Sequence, residues 1–187
     1  MAGTAPLTPL GVAALSLLAE RPMHPYEMYQ LLIQRRGDRL VKVRPGTLYH
    51  GVGRLAEDGL VEATGTEREG NRPERTTYRI SAAGRAALRA RLRELLAVPL
   101  NEYPGFPLAV SEAYHLPREE VLALLERRLG ALECTAGNLS AATAAVEGKE
   151  LAPKYWLDIR YQQAILQSEI DWITKLHTEL RSGAIHW

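Results

Sequence analysis

Apolar positions recur every three to four residues through most of this chain, the spacing of helices that bury one face. Leu10, Ala13, Ala14, Leu17 and Leu18 form the first such stripe. They predict a helix from Thr8 to Ala19, with Thr8 as its cap and Pro9 in the first helical position, where a missing N–H costs nothing. A second helix is predicted over Pro25 to Arg36, with Met28, Leu31 and Leu32 inward and Gly37 as its left-handed stop. A third starts at Pro45 and ends before Gly59, with Leu48, Val52 and Leu55 on its inner face. The period then changes. Leu60 to Thr64 and Thr76 to Ile80 read as strands flanking a loop rich in Gly, Arg and Glu. Ser81 caps a fourth helix that runs to about Ala97.

Pro99, Pro104, Gly105 and Pro107 crowd into nine residues, so Val98 to Pro107 reads as a linker, with a short helix over Leu108 to Tyr114. Pro117 opens a long helix, with Glu119 and Glu120 suited to its positive end. Its stripe is Leu122, Leu125, Leu129, Leu132, Ala136, Leu139, Thr143 and Val146, and Gly148 lies near its end. A last helix is predicted from near Pro153 to Arg181. Its stripe is Trp156, Ile159, Gln163, Leu166, Ile170, Ile173, His177 and Leu180. Both stripes alternate 3 and 4 apart, which fits coiled-coil-like packing. Ile165, Trp172 and Leu176 add a second stripe to the last helix. An 89-residue segment cannot bury so much apolar surface alone, and a second copy of the chain is the simplest cover.

The fold class that follows is mainly α with a small β-hairpin. Residues 1–98 form a winged helix-turn-helix, and residues 99–187 form an antiparallel helical dimerisation domain. In a winged helix the third helix enters the major groove and the hairpin reaches along the DNA backbone.

Charge sharpens this picture. The net charge of +1 conceals a basic half and an acidic half. Met1 to Val98 carries 15 Lys and Arg against 10 Asp and Glu, whereas Pro99 to Trp187 carries 8 against 12. The first half is therefore the one suited to a polyanion. The single Cys134 excludes an internal disulfide and suits a reducing cytoplasm. No run approaches the roughly 20 apolar residues of a membrane span. No phosphate-binding Gly loop, nucleophile elbow or metal-ligand spacing is present, so neither an enzyme, a cofactor nor a metal is expected.

On the third helix, Thr47, His50, Gly51 and Arg54 fall on the outer face. Arg and Thr can bond base edges and phosphates, and Arg54 could pair with a guanine. The hairpin loop carries Arg68, Arg72 and Arg75, offset by Glu67, Glu69 and Glu74. Cations there would neutralise phosphates or enter the minor groove.

Four segments resemble the PadR family of bacterial transcription regulators. They are Leu18 to Met28, Arg44 to Tyr49, Arg54 to Glu62 and Tyr78 to Arg85, and the likeness spans roughly Thr8 to Leu96. The Pro-Gly-Thr-Leu-Tyr run after Met-His-Pro-Tyr-Glu carries most of it, and the length of the helical second half matches the longer PadR subfamily. The resemblance implies a homodimeric repressor of a palindromic operator, released by a small ligand. It assigns Tyr26, Thr47, Tyr49, Arg72 and Arg75 to the DNA face, joining Arg44, His50 and Arg54. It also implies an aromatic or cationic effector near the dimer interface, for which Trp156 and Trp172 are the candidate ligand-binding residues. The chain departs from the family pattern at Pro25, where Gly is usual, and at His50 and Gly53, where Pro and a basic residue are usual. The competing reading is a winged-helix module that binds protein or RNA without sequence-specific DNA recognition.

Overall fold

The computed structural model describes residues 6–67, 75–148 and 151–187. The chain divides into two compact units, Met1–Asn101 and Glu102–Trp187.

The first unit begins with α1 (Pro9–Glu20), α2 (Pro25–Gln34) and α3 (Pro45–Glu57). Thr8 caps α1, accepting the Gly11 N–H at 3.1 Å. A hairpin of β1 (Val61–Glu67) and β2 (Arg75–Ile80) follows, then α4 (Ala82–Ala97). The strands pair antiparallel from Val61 against Ile80 to Glu67 against Arg75, with a bulge between Ala63 and Gly65. Leu15, Leu18, Met28, Leu48, Val52, Val61 and Ile80 are buried together, so the three helices and the hairpin share one core.

Ser81 locks the start of α4. Its hydroxyl accepts the Gly84 N–H at 3.0 Å and donates to the Gly59 carbonyl at 2.8 Å. Met23 adds an isolated third strand, exchanging backbone hydrogen bonds with Tyr78 at 3.0 and 3.2 Å. Glu20, at the end of α1, holds Arg35, just past α2, through both carboxylate oxygens.

Three local expectations need correction. The left-handed residue after α2 is Arg36, with φ 58°, and Gly37 opens a short 3₁₀ turn. Gly37 is needed for space instead, since a Cβ there would lie 3.2 Å from the Leu32 carbonyl oxygen. The strands run further than their apolar residues, because backbone pairing carries them through Gly65 to Glu67. The linker is shorter than the prolines suggested. Helix α5 (Gly105–Ser111) includes Pro107 in its first turn, where no intrahelical bond is lost.

The second unit holds α5, α6 (Arg118–Glu147) and α7 (Leu157–Ser182). Glu126 meets His177, Arg128 meets Glu169 and Thr143 meets Gln163, so α6 and α7 run antiparallel. Every position of both predicted stripes is buried or half-buried. The polar members are bonded across or along the seam. Gln163 donates to Thr143 Oγ1 at 3.0 Å, and His177 Nε2 lies 3.0 Å from Glu126 Oε1. Trp187 donates its indole N–H to the Leu116 carbonyl at 2.7 Å. Among the described residues, no helix is long and apolar enough to cross a membrane, and no cluster of His, Cys, Asp or Glu could hold a metal ion.

Candidate nucleic-acid interface

Burial of Leu48, Val52 and Leu55 fixes the rotation of α3. Thr47, Tyr49, His50 and Arg54 are consequently exposed on the remaining faces. Thr47 donates its hydroxyl to the Arg44 carbonyl at 2.9 Å. With that proton engaged, it presents a methyl group and acceptor lone pairs outward rather than a donor for phosphate. Arg44 is the N-cap of α3, with extended backbone and an exposed side chain. Neither Arg44 nor Arg54 enters an ion pair among the described residues. Free guanidinium groups keep their donors available for an outside acceptor.

Two glycines of α3 differ in surroundings. A Cβ at Gly51 would reach the Leu10 side chain of α1, whereas one at Gly53 or Gly46 would meet nothing within 4 Å. Gly51 therefore leans toward α1, and the open face expected of it belongs to Gly46 and Gly53.

Tyr26 sits in the first turn of α2 and is 48% exposed. Tyr49 is 43% exposed, and its ring meets that of His24 edge-on, centroids 5.6 Å apart. Arg21 and Glu27 form an ion pair at the entry to α2. The Arg21 guanidinium holds the Glu27 carboxyl below its ordinary value of 4.5, as Arg35 does for Glu20.

Arg72 lies outside the described residues. Arg75 begins β2, and its side chain also lies outside the described residues. Two further cations were missed in the sequence. Arg36 and Lys42 are exposed in the segment that leads into α3, and neither enters an ion pair among the described residues. Their signal was the run of five cations between Arg35 and Arg44. It was overlooked because the segment has no periodicity to orient it.

The two tryptophans do not share a site within one protomer. Trp156 immediately precedes α7 and donates its indole N–H to the Leu151 carbonyl at 3.2 Å. Trp172 stands sixteen residues further along, about 24 Å at the helical rise. It meets Phe106 edge-on, centroids 6.2 Å apart. Phe106, Val110, Ile165 and Trp172 wall a cleft of about 460 Å³, to which Ser168 and Glu169 add polar groups. Arg128 lies over the Phe106 ring at 3.7 Å and is paired with Glu169.

A three-helix unit with an exposed cationic face on its third helix, followed by a hairpin, is the winged-helix arrangement. Residues 14–90 match the transcriptional regulator PadR-like family. Over that segment the chain is similar to a family of transcriptional regulators.

Solved structures share the fold across both units. Bacillus subtilis PadR in complex with operator DNA matches with TM-score 0.78 at 17% identity, covering 94% of this chain and 99% of that one. The same protein with p-coumaric acid matches with TM-score 0.75 at 15% identity, covering 96% and 99%. The Vibrio cholerae virulence activator AphA matches with TM-score 0.69 at 20% identity, covering 92% and 98%. No curated protein matches by sequence.

Proposed function

We propose that this chain is a homodimeric, DNA-binding repressor of the bacterial cytoplasm, with α3 of each protomer in the major groove. The observation that carries this is the exposed face of α3, where Arg44, Thr47, His50 and Arg54 stand without an ion-pair partner among the described residues. Arg54 and His50 are the candidate base readers. Arg36, Lys42 and Arg44 suit the phosphates flanking them, and Arg72 and Arg75 would serve the adjacent backbone or minor groove. The operator-bound Bacillus subtilis relative supports the same assignment.

Dimerisation falls to the second unit. Ile165 and Trp172 remain about half exposed on α7 after α6 has packed, an apolar stripe suited to a second copy. A small aromatic or cationic effector would bind in the cleft beside Trp172, shifting the dimer between DNA-competent and incompetent states. The structure of the Bacillus subtilis relative with p-coumaric acid supports an aromatic ligand. Trp156 stays a candidate only as a separate contact.

Selection of bound duplexes from a random-sequence pool tests this reading, together with sedimentation of the protein alone. A sedimenting dimer and an enriched palindrome, its half-sites about one helical turn or a multiple apart, are expected. Enrichment of no sequence, with tighter binding to a single-stranded RNA probe than to any duplex, would favour an interaction module instead. Placing the enriched duplex upstream of a reporter then fixes the sign, and repression is expected.

A further inference from the structure

Residues 23–27 join three parts of the first unit. Met23 is buried and tied to Tyr78 of β2 by both backbone hydrogen bonds. The next residue, His24, is the N-cap of α2, and its Nδ1 accepts the Tyr26 N–H at 3.1 Å. The imidazole thus caps α2 in place of the usual Ser, Thr, Asn or Asp. Glu27, three residues on, pairs with Arg21. An accepting Nδ1 requires a neutral ring with its proton on Nε2. The same ring stands edge-on to Tyr49 of α3, interplanar angle 74°.

A Ser, Asn or Asp would cap α2 equally well but could not reach Tyr49 with an aromatic edge. We propose that His24 is a positioning residue for DNA recognition. Its cap fixes the ring, the ring fixes Tyr49, and the neighbouring Met23 bridge ties both to β2, so α3 and the hairpin are held in one geometry against the duplex. The proposal rests on the assignment of the α3 face to DNA. It makes His24 a determinant of operator discrimination without itself touching a base.

A double-mutant cycle on the full-length protein tests it, with the pool-selected duplex and a scrambled duplex as probes. His24→Asn keeps the cap and removes the ring, so the melting temperature is expected to hold. Affinity for the selected duplex should fall about tenfold, the order of an edge-on aromatic pair. Tyr49→Leu should lose about the same, and the double variant no more than either, because the two rings act as one unit. His24→Phe keeps a ring and loses the cap: it should melt lower yet retain discrimination at a temperature where it is folded. Wild-type binding by folded His24→Asn, or losses that multiply in the double variant, would overturn the positioning role. If Tyr49→Leu binds like wild type, the assignment of the α3 face fails first and the proposal falls with it.

Discussion

A single methyl group at Gly84 is predicted to destabilise the first unit about as much as a large-to-small truncation in its core. Gly84 lies in the first turn of α4, where α4 crosses the start of β1. A Cβ there would stand 2.0 Å from the Leu60 carbonyl oxygen and 2.9 Å from Ile80 Cγ1. Ordinary C···O contact is about 3.3 Å, so the two backbones would have to separate by more than about 1 Å. The bonds at this crossing cannot stretch that far. Ser81 N–H reaches the Leu60 carbonyl at 3.0 Å, and the Ser81 hydroxyl reaches the Gly59 carbonyl at 2.8 Å.

Two bonds at about 1 kcal/mol each, and overpacking at about 1–3 kcal/mol, outweigh the roughly 1 kcal/mol that Ala gains over Gly in a helix. The net expectation for Gly84→Ala is a loss of about 2–4 kcal/mol. Urea unfolding monitored by circular dichroism measures it, with Gly53→Ala as the control. At Gly53 a Cβ meets nothing within 4 Å, so the same substitution should stabilise by up to about 1 kcal/mol. Equal effects at the two positions, or a loss at Gly84 below about 1 kcal/mol, would refute the claim that close backbone approach decides the sign.

Other expectations concern DNA and acid. Arg54→Ala should cost about 1–3 kcal/mol at one base position of the selected duplex if Arg54 reads a base, measured by competition among single-base variants; a uniform loss would mean a phosphate contact. Gly53→Lys should strengthen binding and steepen the dependence of log K on log salt by about 0.9, because its site is open and one more phosphate would be neutralised. Glu20 and Glu27 have lowered folded values, each held chiefly by its hydrogen-bonded arginine. Their contribution is complete above the ordinary value of 4.5 and fades as pH falls through the depressed one. Both pairs are about half exposed, so Glu20→Gln with Glu27→Gln should cost little near neutrality and leave a shallower acid limb in urea unfolding.

Where burial is periodic, the sequence was legible down to its polar members. Thr143, Gln163 and His177 broke the apolar stripes of α6 and α7, yet kept the spacing, and each carries a hydrogen bond at the seam. Thr8 and Ser81 were legible as caps because their side chains act on backbone within three residues. The outer face of α3 followed from its inner one. What escaped has no local period. The Met23–Tyr78 bridge joins residues 55 apart through backbone atoms that any side chain would offer. The left-handed Arg36 displaced the expected Gly37, whose small size serves contact with Leu32. Arg36 and Lys42 lie in irregular chain, where no helical face shows which way a side chain points. Trp156 kept the spacing of the α7 stripe, but sixteen residues separate it from Trp172, so the two do not share a site within one protomer.

Fluorescence anisotropy of the purified protein, titrated against the pool-selected duplex and a scrambled duplex across a salt series, tests the central claim most directly. A regulator that reads DNA with α3 must bind the selected duplex at least about a thousandfold more tightly. Its affinity must also fall linearly on a log–log salt plot as counterions are released. Equal, weak binding to both duplexes with the same shallow salt slope would contradict it.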